Sequence, residues 1–380
     1  MLRQRHIIYL AALLMDMAVA GVSFAVTRRA AELGASSGEL GLLGAAWIGT
    51  YALCALVAGR VSDRFGRQTV ARFGCAVAAA MAMACAFTTR VGVLALLMSV
   101  FGAGLAGFWP TAIAWLSEGA GGSLNSRLSR FSVAWNLGLI IGFAETGLVF
   151  KRWPTATFFV AAGLIALTMV VLSLPARKPN DTDGPTIRPD HVPAGRGFRK
   201  TAWLANFALS LTGAGAGAMF PKLATTLGIR ADVHGLLFAS GRGAALLVFL
   251  VLPALQFWRT RLWPLWVAQA IAAVSLAGIG LANAPWAFAL AFAVSGAVSG
   301  YTYQASVFFT MEEMTEKGKG GGLHEAVLGL GMALGPLLAG WVGQHYSLRS
   351  PYFFCSGVLV ALIAAQMVLV FVRRRARVPA

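Results

Sequence analysis

The sequence predicts an all-α membrane protein with twelve transmembrane helices in two six-helix bundles related by an internal repeat. Three observations carry this expectation. Apolar residues make up 58% of the 380-residue chain and charged residues only 12%, with 44 glycines besides. Soluble domains hold about 45–50% apolar residues with glycine already counted, and about twice that share of charge. The apolar residues also fall into twelve stretches of the length that crosses a hydrocarbon core. Finally, short patterns of the first half recur in the second at a nearly constant offset. The composition excludes a disordered chain, a collagen-like chain and a disulfide-stapled secreted domain.

The stretches of the first half cover 7–27, 40–58, 70–88, 92–116, 131–150 and 155–174. Those of the second cover 201–221, 234–255, 264–282, 286–310, 323–343 and 352–372. Short connections leave no room for an inserted soluble domain. The longer connection, 175–200, is polar and contains Pro175, Pro179, Pro185, Pro189 and Pro193, a composition that reads as a solvated linker. The expected organisation is an N-terminal six-helix bundle (1–174), a cytoplasmic linker (175–200) and a C-terminal six-helix bundle (201–380).

A net charge of +17 first points to nucleic acid. Sorting the basic residues by side removes that reading. With the N-terminus in the cytoplasm, 22 of the 31 Lys and Arg fall on the cytoplasmic side and eight on the other; Arg242 alone falls within a span. Such a bias places both termini in the cytoplasm of an inner membrane. Ala18-Val19-Ala20 resembles a signal-peptide cleavage site. Cleavage would leave eleven spans and break this parity, so the first stretch is read as a span. Cys54, Cys75, Cys85 and Cys355 fall inside spans with no metal-ligand spacing and read as small apolar packing. No metal or cofactor is expected.

The repeat is explicit. Gly41-Leu42-Leu43 matches Gly235-Leu236-Leu237, and Leu33-Gly34 matches Leu227-Gly228, both at an offset of 194. Gly107-Phe108 matches Gly300-Tyr301, and Gly138, Gly142 and Gly147 match Gly331, Gly335 and Gly340, at 193. In transporters built from repeats, the substrate lies near the bilayer midplane where the repeats meet.

The loop after the second stretch reads Gly59-Arg60-Val61-Ser62-Asp63-Arg64-Phe65-Gly66-Arg67. It resembles the signature loop of the major facilitator superfamily, G-x-x-x-D-R-x-G-R. Twelve spans, a repeated half, a long central linker and internal termini extend the resemblance over the whole chain. The equivalent loop of the second half, Phe257-Trp258-Arg259-Thr260-Arg261, lacks the pattern. The resemblance implies that Asp63 latches the cytoplasmic side against the start of the eleventh span, near Gly322–Glu325. It also implies that Arg67 pairs with an acid at the end of the fourth span, here Glu118. Gly59, Asp63, Arg64, Gly66, Arg67, Glu118 and His324 are therefore the expected gating residues. The plain alternative is that the arginines only anchor the chain by the positive-inside rule. Two departures weigh against a drug–proton exchanger of this family. Met98-Ser99 stands where such proteins carry an Arg in span four, and Gly138 to Phe143 lacks their G-x-x-x-G-P proline. That run occurs instead as Gly331-Met332-Ala333-Leu334-Gly335-Pro336.

Ionisable groups inside a bilayer cost roughly 2.5–3.5 kcal/mol at a helix centre and so face a cavity or a partner. Asp16, deep in the first span, reads as a proton- or cation-coupling acid, with contact to a cationic substrate or a structural hydrogen bond as alternatives. Its repeat equivalent is Ser210, so symmetry does not require an acid there. Arg242 either pairs with Glu145 or holds an anionic substrate; the plain reading of Glu145 is a snorkelling acid. Glu325 joins Asp16 and Glu145 as a coupling candidate. With His324 it reads as an inner gate or proton relay, or as an ordinary acidic helix start. Phe108, Trp109, Trp135, Asn136, Tyr301, Tyr303 and Gln304 bring rings and amides to spans four, five and ten. With Asp16 and Arg242, all of these except Trp135 are expected to contact substrate; the alternative is interhelical packing, which suits Trp135.

The expected protein is a monomeric secondary transporter of a small organic solute, working by alternating access and coupled to protons. A drug exporter of the same fold is the nearer rival. A membrane-embedded enzyme would need a clustered nucleophile and base or a metal set, which the sequence does not bring together, and a non-transporting sensor would use the same fold.

Overall fold

Glycine and proline punctuate the chain into helices, and apolar runs fill them. The structure is a computed structural model that describes residues 2–118, 124–177, 197–314 and 317–375. The first six helices are α1 (Gln4–Glu32), α2 (Ser37–Phe65), α3 (Arg67–Cys85), α4 (Val91–Glu118), α5 (Leu124–Arg152) and α6 (Ala156–Leu172). The second six are α7 (Arg199–Thr226), α8 (Ala231–Val251), α9 (Trp263–Leu281), α10 (Pro285–Glu313), α11 (Lys317–His345) and α12 (Ser350–Arg375). Each coincides with one of the twelve expected spans, extended by several residues at most ends. Leu2–Arg3 pairs in parallel with Ala176–Arg177, the only strand pairing among the described residues. Most of the expected linker lies outside the described residues.

The stops have identifiable causes. Gly34 and Gly228 take φ of +84° and +68°, a left-handed conformation that ends α1 and α7 at equivalent points of the repeat. Gly66, at φ +89°, makes the turn between α2 and α3. Ser36 and Glu39 form a capping box at the start of α2: the Ser36 N–H donates to Glu39 Oε2 at 2.7 Å, and the Glu39 N–H to Ser36 Oγ at 3.2 Å. Proline, which cannot donate to the preceding turn, opens α9 and α10.

Among the described residues, nine helices are each long and apolar enough to cross a membrane. Helix α6 is apolar but short. Helices α7 and α10 are long, but Asn206, Ser210 and Thr212, and Ser295, Ser299 and Tyr301, dilute their apolar runs. Large apolar side chains face outward: Leu53, Leu56, Phe73, Phe87, Val274 and Trp286 are each at least 70% exposed. Water would penalise such a surface, whereas lipid tails match it.

The chain divides into two compact units. Unit 1 comprises Met1–Ala35, Ala46–Asp190 and Ile229–Ala239; unit 2 comprises Ser36–Ala45, His191–Gly228 and Ser240–Ala380. Thus the first turns of α2 belong with the second half of the chain, and the first turns of α8 with the first half. In unit 1, α1 packs on α5 and α6, and α3 on α4 and α6. In unit 2, α7 packs on α11 and α12, and α9 on α10 and α12. The two lists are the same list moved by one repeat.

Glycine makes these contacts close. A Cβ on Gly142 would lie 2.6 Å from the Met17 carbonyl oxygen of α1. A Cβ on Gly335 would overlap the Leu211 carbonyl oxygen of α7. In membranes small residues let backbones approach, and the gain is van der Waals contact rather than water release. Helix α5 continues onto the first turn of α8, where Gly147 meets Gly235, as α11 continues onto the first turn of α2, where Gly340 meets Gly41.

Candidate transport site

In unit 1, the middle of α1 presents Asp16, whose side chain is 6% exposed. Its Cβ would lie 3.0 Å from a Cβ on Gly138 of α5, so the acid is held against a helix face that has no side chain of its own. Its repeat equivalent behaves alike: the Ser210 Cβ would lie 3.0 Å from a Cβ on Gly331. Ser210 turns its hydroxyl back onto the Asn206 carbonyl at 2.6 Å. The repeat therefore puts a carboxyl and a hydroxyl at one structural position.

Asn136 on α5 is fully buried; its Nδ2 donates to the Ser132 carbonyl at 3.0 Å, while its Oδ1 has no partner among the described residues. A buried acceptor left unpaired costs about 1–3 kcal/mol, so this oxygen is suited to a donor supplied by solute or water. Phe108 is fully buried, and Trp109 packs edge-on against it at 5.0 Å and against Phe131 at 5.8 Å. Glu145 is half-buried and forms no ion pair with a described residue of its own unit.

Residues of the loop after α2 bond one another. Arg67 pairs with Asp63 at 2.5 Å and donates to Ser62 Oγ at 2.6 Å. The Arg64 guanidinium lies 5.5 Å from the Phe65 ring centre. Gly59 ends no contact that a Cβ would disturb, whereas Gly66 requires its positive φ. The Glu118 side chain, and residues 315 and 316, lie outside the described residues.

In unit 2, Arg242 sits at the middle of α8, partly buried. On α10, Tyr301 packs on Trp258 at 6.1 Å beside a buried cluster that includes Leu252, Leu265 and Phe309. Gln304 is half-buried on the same helix. Tyr303 stacks edge-on to His324 of α11 at 5.0 Å. His324 is 2% exposed, its Nδ1 lies 2.9 Å from Ser306 Oγ, and its Nε2 lies 3.8 Å from Glu325 Oε1.

Several polar residues that the sequence did not single out are placed prominently. Lys151 of α5 pairs with Asp232 at 2.9 Å, and Arg230 pairs with the same carboxylate at 2.5 Å. Buried Arg28 donates to the Ile229 carbonyl at 3.0 Å and to Glu32 at 2.7 Å. His234 is fully buried, with the rings of Phe24 and Phe238 each 4.6 Å away. Gln269 of α9 and Gln366 of α12, both fully buried, exchange two amide hydrogen bonds of 3.0 and 2.8 Å. Lys151 and Asp232 are 81 residues apart, so no local periodicity links them. The repeat offset was the available signal: it carries Lys151 to Gln344 and Asp232 to Gly38, which also meet.

Apolar helices in repeated halves, with buried polar groups at mid-helix, define a polytopic membrane protein. The profile of the Major Facilitator Superfamily matches residues 8–314 and 202–380 of this sequence. The chain belongs to that superfamily. A curated relative, the 4-hydroxybenzoate transporter PcaK of Acinetobacter baylyi, is 28% identical over 160 residues. That match covers 41% of this chain and only 35% of the relative. Among solved structures, the nucleoside transporter NupG superposes with a TM-score of 0.71 at 14% identity, covering 97% of this chain and 99% of that one. A bacterial homologue of the human lysosomal transporter Spinster, in an inward-facing and occupied conformation, gives 0.72 at 15% identity, covering 96% and 94%. At these identities the likeness is one of fold.

Proposed function

We propose that this chain is a proton-coupled secondary transporter of a small organic anion, working by alternating access. The reading places it as a monomer in a cytoplasmic membrane with both termini inside. The segments 1–174 and 201–380 act as the moving halves, joined by 175–200. Asp16 is the observation that carries the coupling. It is a buried carboxyl at mid-helix, and the repeat shows that the same packing accepts Ser210. The packing at this position therefore does not by itself require an acid.

Arg242, at the middle of α8, supplies the cation that an anionic solute requires, or pairs with Glu145. Phe108, Trp109, Asn136, Tyr301, Tyr303 and Gln304 offer rings and amides to an aromatic solute. The partial likeness to a 4-hydroxybenzoate transporter makes 4-hydroxybenzoate the first solute to try. The loop of Gly59, Asp63, Arg64, Gly66 and Arg67, with Glu118 and His324, serves the cytoplasmic gate. The protein should accumulate radiolabelled 4-hydroxybenzoate in proteoliposomes under an imposed pH gradient. Asp16→Asn should abolish the dependence on the gradient, and Arg242→Gln should abolish transport. Full pH-driven uptake by Asp16→Asn would remove the coupling role, and intact transport by Arg242→Gln would remove both roles given to that residue.

A further inference from the structure

Within unit 2 a second buried polar group has a shape that points to proton chemistry. His324 is 2% exposed, and its Nδ1 is engaged by Ser306 of α10 at 2.9 Å. Its Nε2 is buried and has no hydrogen-bond partner among the described residues. A buried ring nitrogen is unfavourable to leave unpaired, so the position favours a donor that can reach it. The Glu325 carboxylate stands 3.8 Å from that nitrogen, just beyond hydrogen-bond reach, and keeps 56% of its side-chain surface accessible. The Glu325 side chain thus keeps an accessible side while the ring beside it is closed off.

We propose that His324 and Glu325, with the ring held by Ser306, form a two-residue proton-holding site, in which Glu325 takes up the proton and shares it with His324 Nε2. The proposal rests on the proton coupling proposed above and assigns a site for it in the second half of the chain. With Nδ1–H donated to Ser306 Oγ, Nε2 carries its lone pair toward Glu325. A small rotation of the Glu325 side chain closes the gap. The carboxylic O–H then donates to Nε2, and the pair holds one proton, as neutral acid with neutral imidazole or as carboxylate with imidazolium. No atom is gained or lost beyond that proton. The two groups titrate as a unit, so the proton belongs to the pair.

Among the described residues, charge on the neighbouring helices gathers toward their ends, where Glu313 of α10 accepts the Arg199 N–H of α7 at 3.0 Å. Helix α11 packs on α7, α10 and α12. From α10 the facing titratable group is Tyr303, whose hydroxyl bonds the Glu325 carboxylate and whose ring lies 5.0 Å from His324. Thr310, one turn further along α10, is held by Trp203 of α7 at 2.7 Å. Arg199 of α7 is drawn aside over the Trp203 ring at 5.1 Å. The described titratable groups of α12, Tyr352 and Cys355, lie near that helix's other end. No other described charged group acts on His324.

The test is an infrared titration of protonated carboxyl groups in the full-length protein in lipid vesicles, with no solute present. Glu325→Gln should delete one titrating carboxyl band and so identify it. His324→Asn keeps an N–H donor at the Nδ1 position for Ser306 but removes Nε2. It should lower the midpoint of that band by about one pH unit, a tenfold loss of proton affinity. Ser306→Ala, which leaves the ring in place but frees its tautomer, should shift the midpoint the same way by less; it decides the matter if His324→Asn fails to fold. His345→Asn, at an exposed histidine bonded to the Trp341 carbonyl, should leave the midpoint unchanged. A band that Glu325→Gln does not remove, or a midpoint unmoved by the His324 and Ser306 variants, overturns the proposal. Solute flux enters none of these readouts. A wild-type protein that shows the shared titration but no pH-driven uptake refutes the coupled-transport reading and leaves the proton site standing.

Discussion

In unit 1, α5 lays Gly138 and Gly142 on α1 and carries Gly147 onto the first turn of α8. In unit 2, α11 lays Gly331 and Gly335 on α7 and carries Gly340 onto the first turn of α2. The backbone contacts correspond residue by residue. The polar groups set on them do not. Where unit 1 has Asp16, unit 2 has Ser210. Where unit 1 has the Lys151–Asp232 ion pair, unit 2 has Gln344 accepting the Gly38 N–H at 3.4 Å. Where unit 1 has His234 among phenylalanine rings, the offset gives buried Leu40. One chain thus contains its own control: what both halves share is needed for packing, and what only one half has must be explained by something else.

The most severe way to test the shared part is to block the close approach in each half. Gly142→Val and Gly335→Val each place side-chain atoms inside a neighbouring backbone, which cannot rotate away as a side chain can. Both should lower stability by about 3 kcal/mol, the upper end for overpacking, and be seen as loss of the monodisperse species and a large fall in Tm. Gly163→Val and Gly217→Val, where nothing lies within 4 Å of the added Cβ, should leave Tm nearly unchanged. If one of the two seams tolerates valine, the halves are not equivalent scaffolds.

That scaffold was legible in the sequence, because glycine spacing and apolar length are local and the offset repeats them. Gly34 and Gly228 ended helices where the repeat predicted. The polar pairs were not legible in the same way. Ser306 and His324 lie on successive helices, and Gln269 and Gln366 are 97 residues apart. A lone serine or glutamine in an apolar helix carries no sign of its partner until the helices are packed. Asp16 and His324 stood out because an ionisable group in hydrocarbon is conspicuous by itself. Lys151 and Asp232 did not, because charges near helix ends are ordinary.

An exchange at the Asp16 position gives the next largest effect. Asp16→Ser installs the residue that unit 2 already accepts, so Tm should stay close to that of the wild type while pH-driven uptake falls about tenfold or more, roughly 1.4 kcal/mol in transition-state terms. Ser210→Asp should instead cost stability, about 1–3 kcal/mol, since an acid replaces a hydroxyl already satisfied by the Asn206 carbonyl. Equal loss of Tm in the two variants would mean that Asp16 is structural, and the asymmetry would lose its functional meaning.

The smallest expected effect concerns the helix ends. Lys151→Gln turns the Lys151–Asp232 contact into the kind that unit 2 uses at Gln344. The Lys151 side chain is 45% exposed and Asp232 keeps Arg230 as a second cation, so the loss should be no more than about 0.5–1 kcal/mol. Because the pair is partly solvated, the difference in Tm between wild type and variant should shrink as salt is raised. Gln344→Lys, the reverse exchange, meets Gly38 rather than a carboxylate and should gain nothing. A salt-independent loss at Lys151 well above 1 kcal/mol would show that the ion pair, and not the glycine contact beneath it, fixes the first turn of α8 in unit 1; each unit would then hold its equivalent turn by a different force despite the common backbone.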